Sequence, residues 1–195
     1  MGTTASIVEP QANPPTVLWA IFCGEINAAN TGKLVNGLTG VSAGGTIQTI
    51  HILFQSWGGF VGDGVFMYNL LRNFPLEIIF YNAGHIASAG VTAFLGARSR
   101  KATRNSLFMI HKSSNASASG ASADKLKAIS DSLILEDART EGILRTHLQL
   151  PEELWNQHAY HEVYLSGEDA LKYGLVDEIA EFSPPKGTKV LNAIG

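Results

Sequence analysis

The stretch LEIIFYNAGHIASAGVTAF, residues 76–94, joins an apolar run to a turn of small residues and a second apolar segment. Its first part, LEIIFYN (76–82), is short and apolar and predicts a buried strand, and SAGVTAFLGA (88–97) predicts a short helix. Ser88 stands where the predicted strand gives way to the helix. A tight strand-to-helix turn requires small residues, and so does a nucleophile that a substrate approaches from outside.

The same alternation of strand and helix continues on both sides of this stretch. It is typical of βαβ units around a mostly parallel sheet, and therefore of an α/β fold. Ser166 and Asp169 occupy the capping-box positions of a further short helix. The other predicted strands lie within TVLWAIFCGEI (16–26), TIQTIHILF (46–54), SLFMIH (106–111) and LVDEIAEF (175–182), and the other helices within NAANTGKLVNGL (27–38), VFMYNLLRNF (65–74) and PEELWNQHA (151–159).

A long helical pattern runs from Asp124 to about Gln149. A helix of this length projects beyond a small sheet domain, and its apolar stripe needs a partner, for which a second copy of the chain is the simplest candidate. The preceding SSNASASGASA (113–123) is predicted to be a mobile loop or an adaptable edge. We therefore divide the chain into an irregular N-terminal arm (1–16), one domain (17–182) and a C-terminal tail (183–195).

Composition restricts the classes of partner. The chain has 195 residues, a formal net charge of −3 and 16% charged residues, so it has no basic field for nucleic acid or acidic membranes. No apolar run is long enough to span a bilayer. The single cysteine, Cys23, excludes an intrachain disulfide framework and is expected to be a buried strand thiol in a reducing compartment. The N-terminal residues lack a signal-peptide pattern, so a cytoplasmic location is expected.

Ser88 and His111 each follow a predicted strand. In a parallel α/β sheet the carboxyl ends of the strands lie along one edge, where sites usually form. A serine hydroxyl needs a base to take its proton, and histidine suits that task near neutral pH. The glycines of WGG (57–59) allow a backbone N–H to approach an oxyanion. Ile86 occupies the place of the first glycine of a G-x-S-x-G motif, which argues against an α/β-hydrolase.

His158 and His161 have the H-x-x-H spacing of some metal sites. Neither a cysteine nor a convincing third ligand accompanies them in the sequence. The pair is therefore interpreted as a solvated helix face, and neither a metal nor another cofactor is expected.

Five features occur together in a fixed order along the chain: FQSWGG (54–59), GHIASAG (84–90), FMIHKS (108–113), the long helix, and YLSGEDALKYGLVDEI (164–179). From about residue 17 to about residue 182 this order resembles the proteolytic subunit of the Clp protease, ClpP. The resemblance implies a serine peptidase of the ClpP/crotonase fold, a spiral of βαβ units with a projecting handle at about 113–150. It also implies a homo-oligomer of two rings stacked through the handle, around a chamber in which peptides or unfolded polypeptides are cleaved.

Carried over residue by residue, the resemblance makes Ser88 the nucleophile and His111 the general base. It assigns the oxyanion hole to the backbone N–H groups of Gly58 and Ala89. Since Ala89 stands where the family has a bulkier methionine, the adjoining pocket is expected to be roomier. SSNASASG (113–120) falls where the family has a strand edge that pairs with extended substrate.

The third member of the family's triad is an aspartate two residues before FLS, and here Glu162 occupies that place before YLS. A glutamate can hold the imidazole tautomer as an aspartate does, although its extra methylene demands a shifted backbone or rotamer. Orientation of His111 by Glu162, by a neighbour such as His161 or Asp169, or by no residue stays open.

The N-terminal arm does not match the family segment that forms axial pore loops and helps to dock an ATP-driven unfoldase, so dependence on an unfoldase stays open. Two alternative functions also remain. A crotonase-like acyl-CoA enzyme would use the N–H groups of WGG and Ala89 around a thioester oxygen, but it leaves Ser88 and His111 unexplained. A non-catalytic ring subunit would account for Glu162 and the unusual arm.

Overall fold

The computed structural model describes residues 16–114 and 120–195. The predicted N-terminal arm lies outside the described residues except for Thr16, where the first strand begins. In chain order the elements are β1 (Thr16–Cys23), α1 (Ala28–Gly44), β2 (Ile47–Gln55), α2 (Val61–Arg72), β3 (Glu77–Asn82), β4 (His85–Ala87), α3 (Ala89–Phe94), β5 (Ser99–Ala102), β6 (Leu107–Ile110), α4 (Ala123–His147), α5 (Glu152–His158), β7 (Val163–Ser166), α6 (Gly167–Lys172), β8 (Glu178–Ile179) and β9 (Val190–Asn192).

The main sheet of the described chain has six strands in the order β8-β5-β3-β2-β1-β9. Every neighbouring pair in it is parallel. In β3 the residues from Ile78 to Asn82 are all buried, because parallel strands are covered on both faces and read as near-continuous apolar runs. This architecture confirms the predicted α/β fold with a mostly parallel sheet.

A row of phenylalanines connects the main sheet to the rest of the core. Phe54 on β2 stacks on its neighbours Phe22 and Phe80 with ring centroids 4.6 and 4.7 Å apart. Phe94 of α3 continues the row, 5.8 Å from Phe80, and its ring lies 5.4 Å from that of Phe108 on β6. All five side chains are fully buried, so the row fixes α3 and β6 against the sheet.

A second sheet of three strands, β4-β6-β7, positions the candidate site. Strand β4 is parallel to β6, and β7 is antiparallel to β6 with Ile110 opposite Val163. A bridge between Ser56 and Ile86 connects the end of β2 to β4. The ends of β2, β4 and β6 therefore lie close together, with Ser88 immediately after β4.

Helix α4 confirms the predicted long helix and runs from Ala123 to His147, ending before Gln149. Leu144, near its C-terminal end, is its one buried residue. Ile134 and Leu135 are 62% and 67% exposed. Much of the helix therefore leaves its apolar side chains without cover from the described part of the chain.

Helix α2 begins at Val61, four residues before the start of the predicted helix over 65–74. A Cβ atom at Gly64 would lie 2.7 Å from the carbonyl oxygen of Ala89. Glycine at this position therefore lets the backbones of α2 and α3 come into direct contact. Helix α1 also extends further than predicted, to Gly44.

Two strands of the main sheet, β5 and β9, were not predicted from the sequence. Strand β5 is polar, and its Arg100 and Lys101 pair with the carboxylates of Asp177 and Glu178 at 2.8 and 2.7 Å. Glu178 lies in β8 and Asp177 immediately before it, more than 70 residues along the chain. Because these carboxylates compensate its positive charges, β5 forms although its sequence shows no apolar alternation. Strand β9 lies within the predicted tail (183–195) and pairs with β1.

Two interpretations of single residues are wrong. Cys23 is exposed, because it occupies an outward-facing position in the alternation that buries Phe22. His158 is not on a solvated face: it is 1% exposed, and its ring lies edge-on to Trp155 at 5.8 Å. Within residues 16–114 and 120–195, no helix has both the length and the apolar character that crossing a membrane requires.

Candidate active site

Ser88 lies between β4 and α3 in a backbone conformation that residues other than glycine rarely adopt, with φ 55° and ψ −130°. Such a conformation costs about 1–3 kcal/mol and persists only where surrounding contacts enforce it. The Ser88 N–H donates to the carbonyl of Met109 at 2.8 Å, and the Ser88 carbonyl accepts from the N–H of Val91 at 2.9 Å. These two hydrogen bonds hold the turn beside the end of β6.

His111 follows β6 and contacts the Ser88 hydroxyl directly. Its Nε2 atom lies 2.8 Å from Ser88 Oγ, and both residues are half-buried. For Nε2 to accept the hydroxyl proton, the neutral ring must carry its own proton on Nδ1. The contact is therefore the geometry of a serine hydroxyl held against a base.

The residues after His111 are anchored on the handle helix α4. Lys112 Nζ lies 2.5 Å from a carboxylate oxygen of Glu141, and the Ser113 N–H donates to Asp137 at 2.6 Å. Hydrogen bonds from Lys112 and then Arg145 lower the pKa of Glu141. The sequence analysis missed these contacts. The four-residue spacing of Asp137 and Glu141, which puts both on one helix face, is the signal that indicates them.

Gly58 and Ala89 flank Ser88. Gly58 has φ 96°, and a Cβ atom there would lie 2.6 Å from Ser88 Cβ, so this position requires glycine. Its N–H donates to Ser56 Oγ at 3.1 Å. Ala89 is the first residue of α3, where backbone N–H groups have no acceptor within the helix. Both N–H groups are thus near the serine, and their oxyanion role stays a prediction.

The cavity beside the Ser88 hydroxyl is small. Its volume is about 20 Å³, and its walls include Thr140 and Leu144 of α4, so it has room for about one water molecule. Ala89 lines this space, and a pocket roomier than that of the family stays a prediction. For a group larger than a water molecule to enter this cavity, its walls, including the one formed by α4, would have to move.

A larger groove of about 690 Å³ opens next to this cavity, between the start of α2 and the middle of α4. Phe60, at its edge, is 66% exposed. The predicted substrate-pairing segment 113–120 begins in this groove with Ser113 and Ser114, but residues 115–119 lie outside the described structure. The groove shares Val61 and Ser113 with the walls of the cavity beside Ser88.

Glu162 and His111 lie one residue beyond the last β6–β7 pair, and no hydrogen bond or ion pair joins them in the described chain. Strands β6 and β7 end in the pair Ile110–Val163, so His111 and Glu162 are the next residues along each chain segment. The Glu162 carboxylate accepts from the Tyr164 hydroxyl at 2.5 Å. The structure thus brings Ser88 and His111 together but does not bring Glu162 to them, and its triad role stays a prediction.

Neither alternative orienting residue contacts His111 through a hydrogen bond of the described chain. Asp169 accepts from the Ser166 N–H and hydroxyl at 3.2 and 2.6 Å, which confirms the predicted capping box. His161 is exposed. The nearby buried His158 has both ring nitrogens without a hydrogen-bond partner among the described residues, and burial lowers its pKa. The described residues contain no cluster of three or more candidate metal ligands.

The chain is similar to known proteins over most of its length. The chain is similar to the ATP-dependent Clp protease proteolytic subunit 1 of Prochlorococcus marinus subsp. pastoris, with 29% identity over 171 residues and 85% coverage of both chains. It is 28% identical to the protein of the same name from another strain of Prochlorococcus marinus, over 85% of this chain and 86% of that one.

A solved structure of a ClpP1 mutant from Listeria monocytogenes has the same fold, with a TM-score of 0.71 and 22% identity over 83% of this chain and 90% of that one. A family model described as Clp protease matches residues 19–183. That match spans most of the domain in which Ser88 and His111 meet. The chain belongs to the Clp protease family.

Proposed function

We propose that this chain is a serine endopeptidase of the Clp type that cleaves peptides or unfolded polypeptides. The observation that carries this proposal is the 2.8 Å hydrogen bond between Ser88 Oγ and His111 Nε2. Family membership and the relatives' names as proteolytic subunits support the same class of reaction. The proposed chemistry needs no metal or organic cofactor.

The reaction begins when Ser88 Oγ attacks the substrate carbonyl carbon while its proton moves to His111 Nε2. The N–H groups of Gly58 and Ala89 donate to the resulting oxyanion, for which Gly58 must first leave Ser56 Oγ. His111 then protonates the leaving amine as the C–N bond breaks, which leaves an acyl ester on Ser88. A water molecule deprotonated by His111 hydrolyses that ester and regenerates the free serine.

The proposal includes assembly into stacked rings through α4, so that cleavage occurs in an enclosed chamber. Two observations support an oligomer: the family itself, and the exposure of Ile134 and Leu135 on a helix that leaves most of its length uncovered. Whether an ATP-driven unfoldase docks to this assembly is a separate question, which binding of the purified assembly to an unfoldase ring would answer. A cytoplasmic location stays a prediction from composition.

Labelling with a fluorophosphonate probe, read by intact mass and peptide mapping, tests the proposal. We expect a single adduct on Ser88 in the wild type, no adduct in Ser88→Ala, and severely slowed labelling in His111→Ala. Ser130→Ala removes an exposed serine of α4 and serves as the matched control. Peptide turnover in Ser88→Ala should fall by about a million-fold if serine and histidine act as a unit. Full peptidase activity in Ser88→Ala would overturn the proposal.

A non-catalytic ring subunit is the second candidate. It is favoured by one observation, the engagement of Glu162 with Tyr164 and not with His111. A correctly assembled oligomer without any probe adduct on Ser88 would support it. The crotonase-like alternative predicts saturable binding of a CoA thioester, which calorimetry would detect on the same sample.

A further inference from the structure

A hydrogen bond at the protein surface holds the Glu162 carboxylate beside the site. The Tyr164 hydroxyl donates to it at 2.5 Å, and Tyr164 is 53% exposed. The hydrogen bond and charge of Glu162 raise the pKa of the tyrosine. Tyr164 is therefore protonated at neutral pH and remains a hydrogen-bond donor.

The backbone puts Tyr164, Glu162 and His111 on one face of the small sheet. Met109 and Tyr164 face each other across β6 and β7, while Ile110 and its partner are buried on the opposite face. Because side chains alternate along a strand, His111 and Glu162, one step beyond the last pair, return to the face of Tyr164. Opposed Cβ atoms of an antiparallel pair lie about 4.5–5.5 Å apart, so a continuation of this register by one residue would bring the Glu162 carboxylate within reach of the His111 ring.

We propose that Tyr164 is a positioning residue whose hydroxyl holds the Glu162 carboxylate away from His111. During turnover Glu162 adopts a second rotamer, in which its carboxylate accepts a hydrogen bond from His111 Nδ1–H. This inference rests on the proposed function, because it requires His111 to act as the base. In the second rotamer the carboxylate fixes the tautomer that leaves Nε2 free for the Ser88 proton, and it stabilises the imidazolium that forms.

The two hydrogen bonds compete for one carboxylate. Activity then scales with the fraction of chains in which Glu162 has left Tyr164. Because water screens this exposed hydrogen bond to a carboxylate, it changes such an equilibrium by a factor of about 3–10, the range of a neutral hydrogen bond, and not by the larger factor of a buried charged one. Removing the hydroxyl should therefore raise kcat by about that factor. KM should stay unchanged, because neither Tyr164 nor Glu162 is among the residues that line the groove between α2 and α4, in which we expect the peptide to bind.

The experiment compares Tyr164→Phe, Glu162→Gln and the double variant with the wild type. Tyr160→Phe is the matched control, since Tyr160 is 85% exposed in the turn that leads into β7. Each protein is measured for kcat and KM on a fluorogenic peptide and for the rate of fluorophosphonate labelling of Ser88. A titration of 13C-labelled tyrosine by NMR, with Tyr164→Phe identifying the resonance, reports the contact independently of activity.

We expect Tyr164→Phe to raise kcat and the labelling rate by about 3–10-fold, Tyr160→Phe to change neither, and Glu162→Gln to cancel the gain. The Tyr164 resonance should titrate at lower pH in Glu162→Gln. Equal labelling of wild type and Tyr164→Phe, or a gain that survives Glu162→Gln, would overturn this inference while leaving the proposed function intact. No labelling of Ser88 in either protein would overturn both.

Discussion

Acidification should weaken the attachment of α4 through His147, the last residue of that helix. Its Nε2 atom lies 3.0 Å from the Tyr68 hydroxyl and 3.1 Å from an Arg72 nitrogen, and its Nδ1 atom lies 3.1 Å from an Arg100 nitrogen. Burial, then the charges of Arg100 and Arg72, lower the pKa of His147 from 6.5 to about 4. The ring is thus neutral at pH 7, and protonation puts a third positive charge between the two guanidinium groups.

The size of the effect follows from linkage between protonation and folding. In the unfolded chain His147 takes up a proton near pH 6.5, whereas in the folded chain it does so near pH 4. The contribution of neutral His147 to the free energy of unfolding is therefore complete above pH 6.5, and it is lost as the pH falls from there to about 4. At about 1.4 kcal/mol per pH unit the limit is roughly 3.4 kcal/mol. His147 is half-buried, so solvent screening reduces the expected loss to about 1–2 kcal/mol.

Urea unfolding of the wild type and His147→Gln at about pH 7.5 and about pH 4.5 measures this loss. Glutamine can accept from Arg100 and donate to Tyr68, but it does not titrate. The stability of the wild type relative to the variant should fall by about 1–2 kcal/mol between the two pH values, since the other titrating groups cancel in the comparison. The same difference at both pH values would refute the reasoning.

Three further predictions concern the site and the core. Gly58→Ala places a Cβ against Ser88 at a left-handed φ, so labelling of Ser88 should slow by at least about 100-fold; an unchanged rate would contradict the assigned contact. Asp137→Asn removes the charged acceptor of the Ser113 N–H and should slow peptide turnover by about 3–30-fold. The free energy of unfolding should stay within about 1 kcal/mol of the wild-type value, and unchanged turnover would show that this hydrogen bond does not support catalysis. Phe54→Ala removes a fully buried stacked ring and should lower the free energy of unfolding by about 3–5 kcal/mol in urea titrations, whereas a loss below about 1 kcal/mol would contradict its central place in the core.

Elements with strong apolar periodicity could be predicted from the sequence because burial imposes that periodicity. The strand over 77–82 and the long helix that ends at His147 are examples. Strand β5 could not be predicted in this way, because its Arg100 is neutralised by Asp177, far along the chain. The start of α2 was missed for a related reason: Gly64 breaks a local pattern, yet it allows the backbone contact with α3.

Some features of the candidate site could also be predicted from the sequence, and others could not. Ser88 and His111 were identified through the ordered motifs that resemble the family, and the structure brings them together. Strand β4, which immediately precedes Ser88, was not predicted, because a strand of three residues carries too little periodicity. The small residues around Ser88 were interpreted as keeping its hydroxyl accessible. In the structure they also allow close packing between α2, α3 and the turn at Gly58. The position of Glu162 across from His111 follows from the register of β6 and β7.

By itself the sequence determined the α/β class and the order of the main strands and helices, because local periodicity carries that information. The order of its motifs, through their resemblance to the family, identified Ser88 and His111. Only the tertiary structure decided that residues 112 and 113 are anchored on α4, that His158 is buried, and that the Glu162 carboxylate binds Tyr164. These features depend on which side chains from distant segments compete for the same space or the same hydrogen bond, and that competition exists only once the chain has folded.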